Sequence, residues 1–172
     1  MSRPRLAYLT ADRLSYNLPD GRTLLDGVGM GVSDERLGLV GANGSGKSTL
    51  LKLLAGVIAP TRGTVVRRGT VGYLAQAIAL RRGATVAELL GVAEPIAALD
   101  RLLAGAGSVA DVEQLGDAWD LRERAHEALS RVGLGGLPLD RTLGNVSGGE
   151  GTRLALAGIL LRDPDVLLLD EP

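Results

Sequence analysis

Three stretches near the N-terminus, residues 6–16, 24–32 and 36–40, alternate apolar with polar positions or gather β-branched residues. Pro19-Asp20-Gly21 and Ser33-Asp34-Glu35 separate them, and both are turn-type clusters, so residues 6–40 read as short strands. The period then changes to that of a helix over residues 47–57. Residues 64–67 and 70–74 read as a hairpin across Arg68-Gly69. Residues 85–132 are helical in pieces. The piece from 119 to 132 places Leu121, Ala125, Ala128, Leu129 and Val132 on one face, and Gly133, Gly135 and Gly136 end it. Residues 147–161 form another helix. Val166-Leu167-Leu168-Leu169 is a short, wholly apolar strand of the kind covered on both faces. Strands that alternate with helices predict an α/β fold with a partly parallel sheet.

Bulk properties narrow the class. The chain has 172 residues, the size of one domain, and a net charge of −1 from 19 basic and 20 acidic residues. No global basic field draws in nucleic acid or an anionic membrane. There is no cysteine, which excludes disulfides and thiolate metal sites and suits a reducing compartment. No secretory signal opens the chain, and no apolar run nears the ~18 residues of a membrane span. A soluble, cytoplasmic protein is expected. Phenylalanine is absent, so the core must be built from Leu, Val, Ala and Ile.

One segment names a ligand. The run Gly41-Ala42-Asn43-Gly44-Ser45-Gly46-Lys47-Ser48-Thr49 fits the pattern G-x-x-x-x-G-K-[ST], and it lies between the apolar run at 37–40 and the helical stretch that follows. Glycines let the backbone close round clustered phosphate oxygens. Successive N–H groups then point inward as a nest, and the helix adds its positive end. Lys47 supplies a flexible point charge for the β- and γ-phosphates, where arginine's planar fork would not fit. Ser48 offers its hydroxyl to Mg²⁺.

Two further segments fit the same chemistry. The apolar strand at 166–169 ends in Asp170-Glu171, which puts paired carboxylates at a strand's carboxyl edge, where open α/β sheets bind ligands. Asp170 is placed to hold Mg²⁺ through its waters, and Glu171 to polarise an attacking water. An ordinary acidic strand end has the same composition. Asn145-Val146-Ser147-Gly148-Gly149-Glu150 opens a helix. Ser147 and Glu150 make a capping box worth about 1 kcal/mol. A cap does not need Gly148-Gly149, which cost roughly 1 kcal/mol each against alanine and leave bare N–H groups at a positive helix end.

With these three segments in this order, the chain resembles the nucleotide-binding domain of the ATP-binding cassette (ABC) superfamily. The phosphate loop matches its Walker A motif, residues 146–150 its signature motif, and residues 166–171 its Walker B motif with the catalytic glutamate at Glu171. Gln76, after Val71-Gly72-Tyr73-Leu74, matches the Q-loop glutamine that touches Mg²⁺ and the attacking water. Tyr16, with Tyr8 nearby, matches the aromatic that stacks on adenine. The resemblance implies an α/β P-loop NTPase of ABC type, with an N-terminal antiparallel β subdomain and a helical subdomain. The expected boundaries are 1–76 for the β subdomain and Walker A core, 77–146 for the helical subdomain, and 147–172 for the signature helix and Walker B strand. ATP and Mg²⁺ are the implied ligands. Gly41, Asn43, Gly44, Ser45, Gly46, Lys47, Ser48, Thr49 and Tyr16 would bind the nucleotide, and Ser48, Gln76 and Asp170 the metal. Lys47, Gln76 and Glu171 would carry hydrolysis. Ser147, Gly148, Gly149 and Glu150 would bind ATP held by a second cassette.

Arg36-Leu37-Gly38-Leu39-Val40-Gly41, Val71-Gly72-Tyr73-Leu74-Ala75-Gln76, Asp117-Ala118-Trp119-Asp120 and Arg153-Leu154-Ala155-Leu156-Ala157 resemble the F subfamily, soluble two-cassette proteins of which many act on ribosomes. Trp119 also fits a plain core role. The interval 77–146, with seven arginines against ten acids, offers nothing like an RNA-binding surface. The rivals are the ATP-binding subunit of an ABC membrane transporter, with a membrane-domain partner, and a non-catalytic truncated fragment. The family's D-loop and switch histidine have no match here, and His126 is misplaced for the latter. The resemblance implies an empty lane between residues 37–40 and 166–169, with exposed apolar faces, low stability and little hydrolysis by these 172 residues alone.

Overall fold

The computed structural model describes residues 7–76, 83–144 and 147–170. Asn145, Val146 and Glu171 therefore lie outside the described residues. The chain divides into two compact units, residues 1–76 with 164–172, and residues 77–163. The opening segment of the first unit ends at Gln76. The helix at Gly148–Leu160 belongs to the second unit, and the chain re-enters the first at Pro164.

The first unit holds two small sheets. Strands β1 (Leu9–Asn17), β2 (Thr23–Val32) and β3 (Arg62–Arg67) form an antiparallel sheet in the order β2-β1-β3. Strands β4 (Val71–Leu74) and β5 (Val166–Leu169) pair in parallel, Tyr73 opposite Leu168 and Leu74 opposite Leu169. Helix α1 (Lys47–Ala55) packs Leu50, Leu53 and Leu54 against Leu9, Ala11 and Leu14 of β1 and Val166 and Leu168 of β5, the core of this unit. Gly56 ends α1 in the left-handed region, which glycine enters without a Cβ penalty. Arg67 of β3 caps the helix from outside: its guanidinium donates to the carbonyls of Leu53 and Leu54 at 2.7 Å each.

The hairpin expected from residues 64–67 and 70–74 is not formed. β3 pairs with β1 and β4 with β5, so the two strands belong to different sheets. Asp165 diverts the chain. Its carboxylate accepts the Thr70 N–H at 2.7 Å and the Thr70 hydroxyl at 3.0 Å, which ties the start of β4 to the start of β5. Those bonds, the backbone one first, hold the Asp165 carboxyl below the usual carboxylate range. Gly69 turns at φ +115°, and a Cβ there would sit 2.4 Å from an Asp165 oxygen.

Residues 36–40, read as a strand, join no ladder. A strand needs a partner for its backbone groups, and none of the described residues supplies one. Leu37, Leu39 and Val40 are 55, 43 and 91% exposed, and Leu167 and Leu169 on β5 are more than a third exposed.

The second unit is helical: α2 (Val86–Leu90), α3 (Ala93–Leu103), α4 (Val109–Leu115), α5 (Leu121–Arg131) and α6 (Gly148–Leu160). Its core gathers Val86, Leu90, Ile96, Leu121, Ala125, Leu129, Leu154 and Ala157. Gly158 lets α6 approach α2 closely, because a Cβ there already lies 3.4 Å from the Leu89 carbonyl. α2 and α4 each begin with a complete capping box, Thr85 with Glu88 and Ser108 with Asp111. Trp119 is half exposed, so the core role does not hold for it.

Candidate functional site

The glycine run behaves as its spacing demands. Gly44 (φ +80°) and Gly46 (φ +94°) both occupy the left-handed region. Gly46 is the N-cap of α1, and no side chain caps the helix. The first amides of α1 are thus left to whatever enters the loop, a ready anion site. Lys47 Nζ donates to the carbonyls of Gly41 at 2.9 Å and Ala42 at 3.0 Å, which holds its charge across the loop. Leu24 and Leu25 press on Gly46 from behind: a Cβ there would meet Leu25 at 3.0 Å and Leu24 at 3.2 Å. The loop is therefore braced by β2.

Residues 122 positions apart close the site. Ser48 Oγ donates to Asp170 Oδ1 at 2.8 Å. Tyr73 donates its hydroxyl to Asp170 Oδ2 at 3.0 Å. Asp170 is 4% exposed, so each of these partners offsets desolvation of the carboxylate. Burial first, and then the bond to Asp170, push the Tyr73 hydroxyl up to about 12, so it remains a proton donor through the neutral range.

A cavity of about 460 Å³ opens over the loop, within the usual size for small-ligand pockets. Asn43, Gly44, Gly46, Lys47, Ser48, Thr49 and Gln76 line it, together with Leu18 and Leu24. The first seven are residues the sequence singled out. Gly41 contributes its carbonyl to Lys47, and Ser45 sits beside Gly41. Tyr16 is half buried against the core of the unit and is not among the lining residues. Leu18 and Leu24 were missed; they flank the turn at 19–21, and their apolar character beside a turn was the available signal.

The donor set suits a hard divalent cation. Ser48 and Asp170 offer oxygen, and among the described residues no group of three or more acidic or histidine side chains is placed to hold a metal ion. Mg²⁺ is held in this sparse way, by one or two carboxylates plus substrate phosphates.

Ser147, Gly148, Gly149 and Glu150 belong to the second unit. The capping box expected there is half made: Ser147 Oγ accepts the Glu150 N–H at 3.3 Å, without the return bond seen at α2 and α4. A Cβ on Gly148 or Gly149 would meet nothing within 4 Å, and neither has a positive φ. Neither packing nor backbone geometry calls for glycine at these two positions.

A cradle of glycines, a lysine folded over it and a buried Ser–Asp contact at a parallel strand end are the arrangement of a phosphate loop facing an acidic strand end. The family described as ABC transporter matches residues 26–172. The chain belongs to this family. The cassette is 42% identical over 177 residues to the tylosin resistance ATP-binding protein TlrC of Streptomyces fradiae, a match covering 89% of the cassette and 32% of TlrC. It is 35% identical to the energy-coupling factor transporter ATP-binding protein EcfA of Methanothermobacter thermautotrophicus, over 92% of the cassette and 51% of EcfA. A solved ATP binding subunit of an ABC transporter superposes with a TM-score of 0.70 at 22% identity, over 95% of the cassette and 65% of that chain. The cassette thus spans about a third of TlrC and about half of EcfA. The ABC cassette fold expected from the sequence is present, and its family is one of ATPase domains that bind and hydrolyse ATP, generally with Mg²⁺. Such cassettes work as dimers or with membrane-domain partners. No described helix is long and apolar enough to cross a membrane.

Proposed function

We propose that the cassette binds Mg²⁺·ATP on its glycine loop and serves a cytoplasmic, F-type ABC ATPase, in which hydrolysis opens and closes a pair of cassettes. The observation that carries this reading is the Ser48–Asp170 contact, which joins the phosphate loop to the acidic strand end. The loop amides and Lys47 bind the β- and γ-phosphates. Ser48 and Asp170 hold the Mg²⁺, which neutralises charge on those phosphates. Gln76 stands at the cavity wall to sense the metal and the attacking water. Glu171, next after Asp170 in the chain, is the residue assigned to polarise that water. Positioning and electrostatics supply most of the rate in such phosphoryl transfers. Ser147 and Gly149 bind the γ-phosphate held by the second cassette. The bare Gly148-Gly149 turn supports this, since the glycines destabilise α6 without a local structural return.

Lys47→Ala tests the reading in the protein that carries this cassette. Loss of two charge-assisted contacts of about 1.5 kcal/mol each weakens ATP binding about 100-fold. Titration with a fluorescent ATP analogue checks it, and unchanged affinity would remove Lys47 from the site.

The F-type assignment is supported by the motif cues at residues 36–41, 71–76 and 153–157 and by the 42% identity to TlrC, a tylosin resistance protein. A role at the ribosome is the corresponding extension. The likeness to EcfA favours a second reading, the ATP-binding subunit of a membrane transporter. A second phosphate loop in the same polypeptide supports the first; isolation in complex with a membrane-spanning subunit supports the second.

A further inference from the structure

Asp170 has a companion to which no motif assigns a role. β4 and β5 run in parallel register, and the Asp170 N–H donates to the Leu74 carbonyl at 3.0 Å. The backbone that carries the carboxylate is thereby pinned to β4. The carboxylate itself keeps a broad, soft torsion about its own axis. One donor on one oxygen leaves that torsion free to swing. Two donors on the two oxygens stop it, and the structure shows both: Ser48 on Oδ1 at 2.8 Å and Tyr73 on Oδ2 at 3.0 Å. Tyr73 is the member of this pair that stands outside the phosphate loop.

We propose that Tyr73 is a positioning residue, whose hydroxyl locks the Asp170 carboxylate with Oδ1 turned toward Ser48 and so sets how strongly a nucleotide-bound divalent cation is held. The proposal rests on the reading of the loop as a Mg²⁺·ATP site. Its sign follows from burial. Without the phenol O–H, Oδ2 is a buried acceptor lacking its partner, and such an atom costs free energy until it is satisfied. The carboxylate meets that cost by rotating away from Ser48, which weakens its hold on a cation. The loop amides and Lys47 are untouched, so binding of metal-free nucleotide is spared.

Tyr73→Phe keeps the ring and removes only the hydroxyl. Calorimetric titration of the intact protein with ATP, in excess Mg²⁺ and in EDTA, separates the two effects. The tightening of ATP binding by Mg²⁺ falls about tenfold in Y73F, on the scale of one hydrogen bond to a charged group. The metal-free affinity stays at the wild-type value, and Tm falls by no more than the few degrees that one lost buried hydrogen bond costs. In an Asp170→Asn background the same substitution adds no further loss, because the two residues act as a unit. An unchanged or stronger Mg²⁺ response in Y73F would overturn the proposal while leaving the site reading standing. Joint loss of Tm and metal-free binding would also overturn it, by making Tyr73 a packing residue. A wild-type protein whose ATP affinity ignores Mg²⁺ would overturn the site reading first.

Discussion

The starts of α1 and α4 solve the same problem in opposite ways. Every helix begins with amides that lack intrahelical acceptors. At α4, Ser108 Oγ accepts the Asp111 N–H at 3.3 Å, and Asp111 returns a bond to the Ser108 N–H at 2.8 Å. At α1 the cap is Gly46 in the left-handed region with no side chain to offer. One end is closed by its own sequence, the other is left open. On the proposed reading, an open end beside a lysine and a buried carboxylate gives up stability for a ligand. The start of α6 lies between the two, with half a box and two glycines.

The largest expected break is at the open end. Gly46→Ala places a Cβ at φ +94°, against Leu24 and Leu25. The left-handed conformation costs about 1–2 kcal/mol for a residue with a Cβ, and relaxation of the loop moves the amides that face the phosphates. ATP binding falls by about 100-fold or more, since two displaced phosphate contacts are worth about 1.5 kcal/mol each, with the far-ultraviolet circular dichroism of the helices kept. Retained affinity would show that the open end serves no ligand.

Asp111→Asn makes a smaller break, at the closed end. Asp111 accepts Arg101 Nε at 2.9 Å and a second guanidinium N–H on the same oxygen, besides its bonds from Ser108. Arg101 first, and then Ser108, hold the Asp111 carboxyl well below the usual carboxylate range. A depressed pKa contributes stability that is present above the unfolded value near 4 and is lost as pH falls toward the folded one. Wild type is therefore more stable than D111N at pH 7, and the gap narrows below about pH 4. Thermal melts of both proteins from pH 7 to pH 2 check it, and a constant gap would refute the assignment. ATP affinity is unchanged.

Thr85→Ala is the smallest. It removes one hydroxyl from the α2 box, where Thr85 Oγ1 accepts the Glu88 N–H at 3.2 Å. Lost caps cost about 1 kcal/mol, or roughly 2–4 °C in Tm for a chain of this size. Nucleotide affinity again stays put. Two stability changes without an affinity change, against one affinity change with the helices intact, would sharpen the division between closed and open helix ends.

Much of this was legible along the chain. The phosphate loop announces itself because its chemistry is local: glycines at fixed offsets permit the left-handed turns, and the lysine and serine follow at once. β5 is readable as a four-residue apolar run, α1 by its period and α6 by its Ser147 cap. The hairpin at residues 64–74 was misread because adjacency in sequence stood in for pairing. Asp165, 95 positions from Thr70, turns the chain into another sheet. Residues 36–40 carry strand propensity, yet propensity supplies no hydrogen-bond partner.

Sequence by itself determined the kind of ligand and the family, since both depend on residue types within a few positions of one another. Tertiary structure alone decided which side chains share Asp170. Ser48 and Tyr73 reach it from 122 and 97 positions away, and only the parallel register of β4 on β5 and the packing of α1 beneath them bring three polar groups to one buried point.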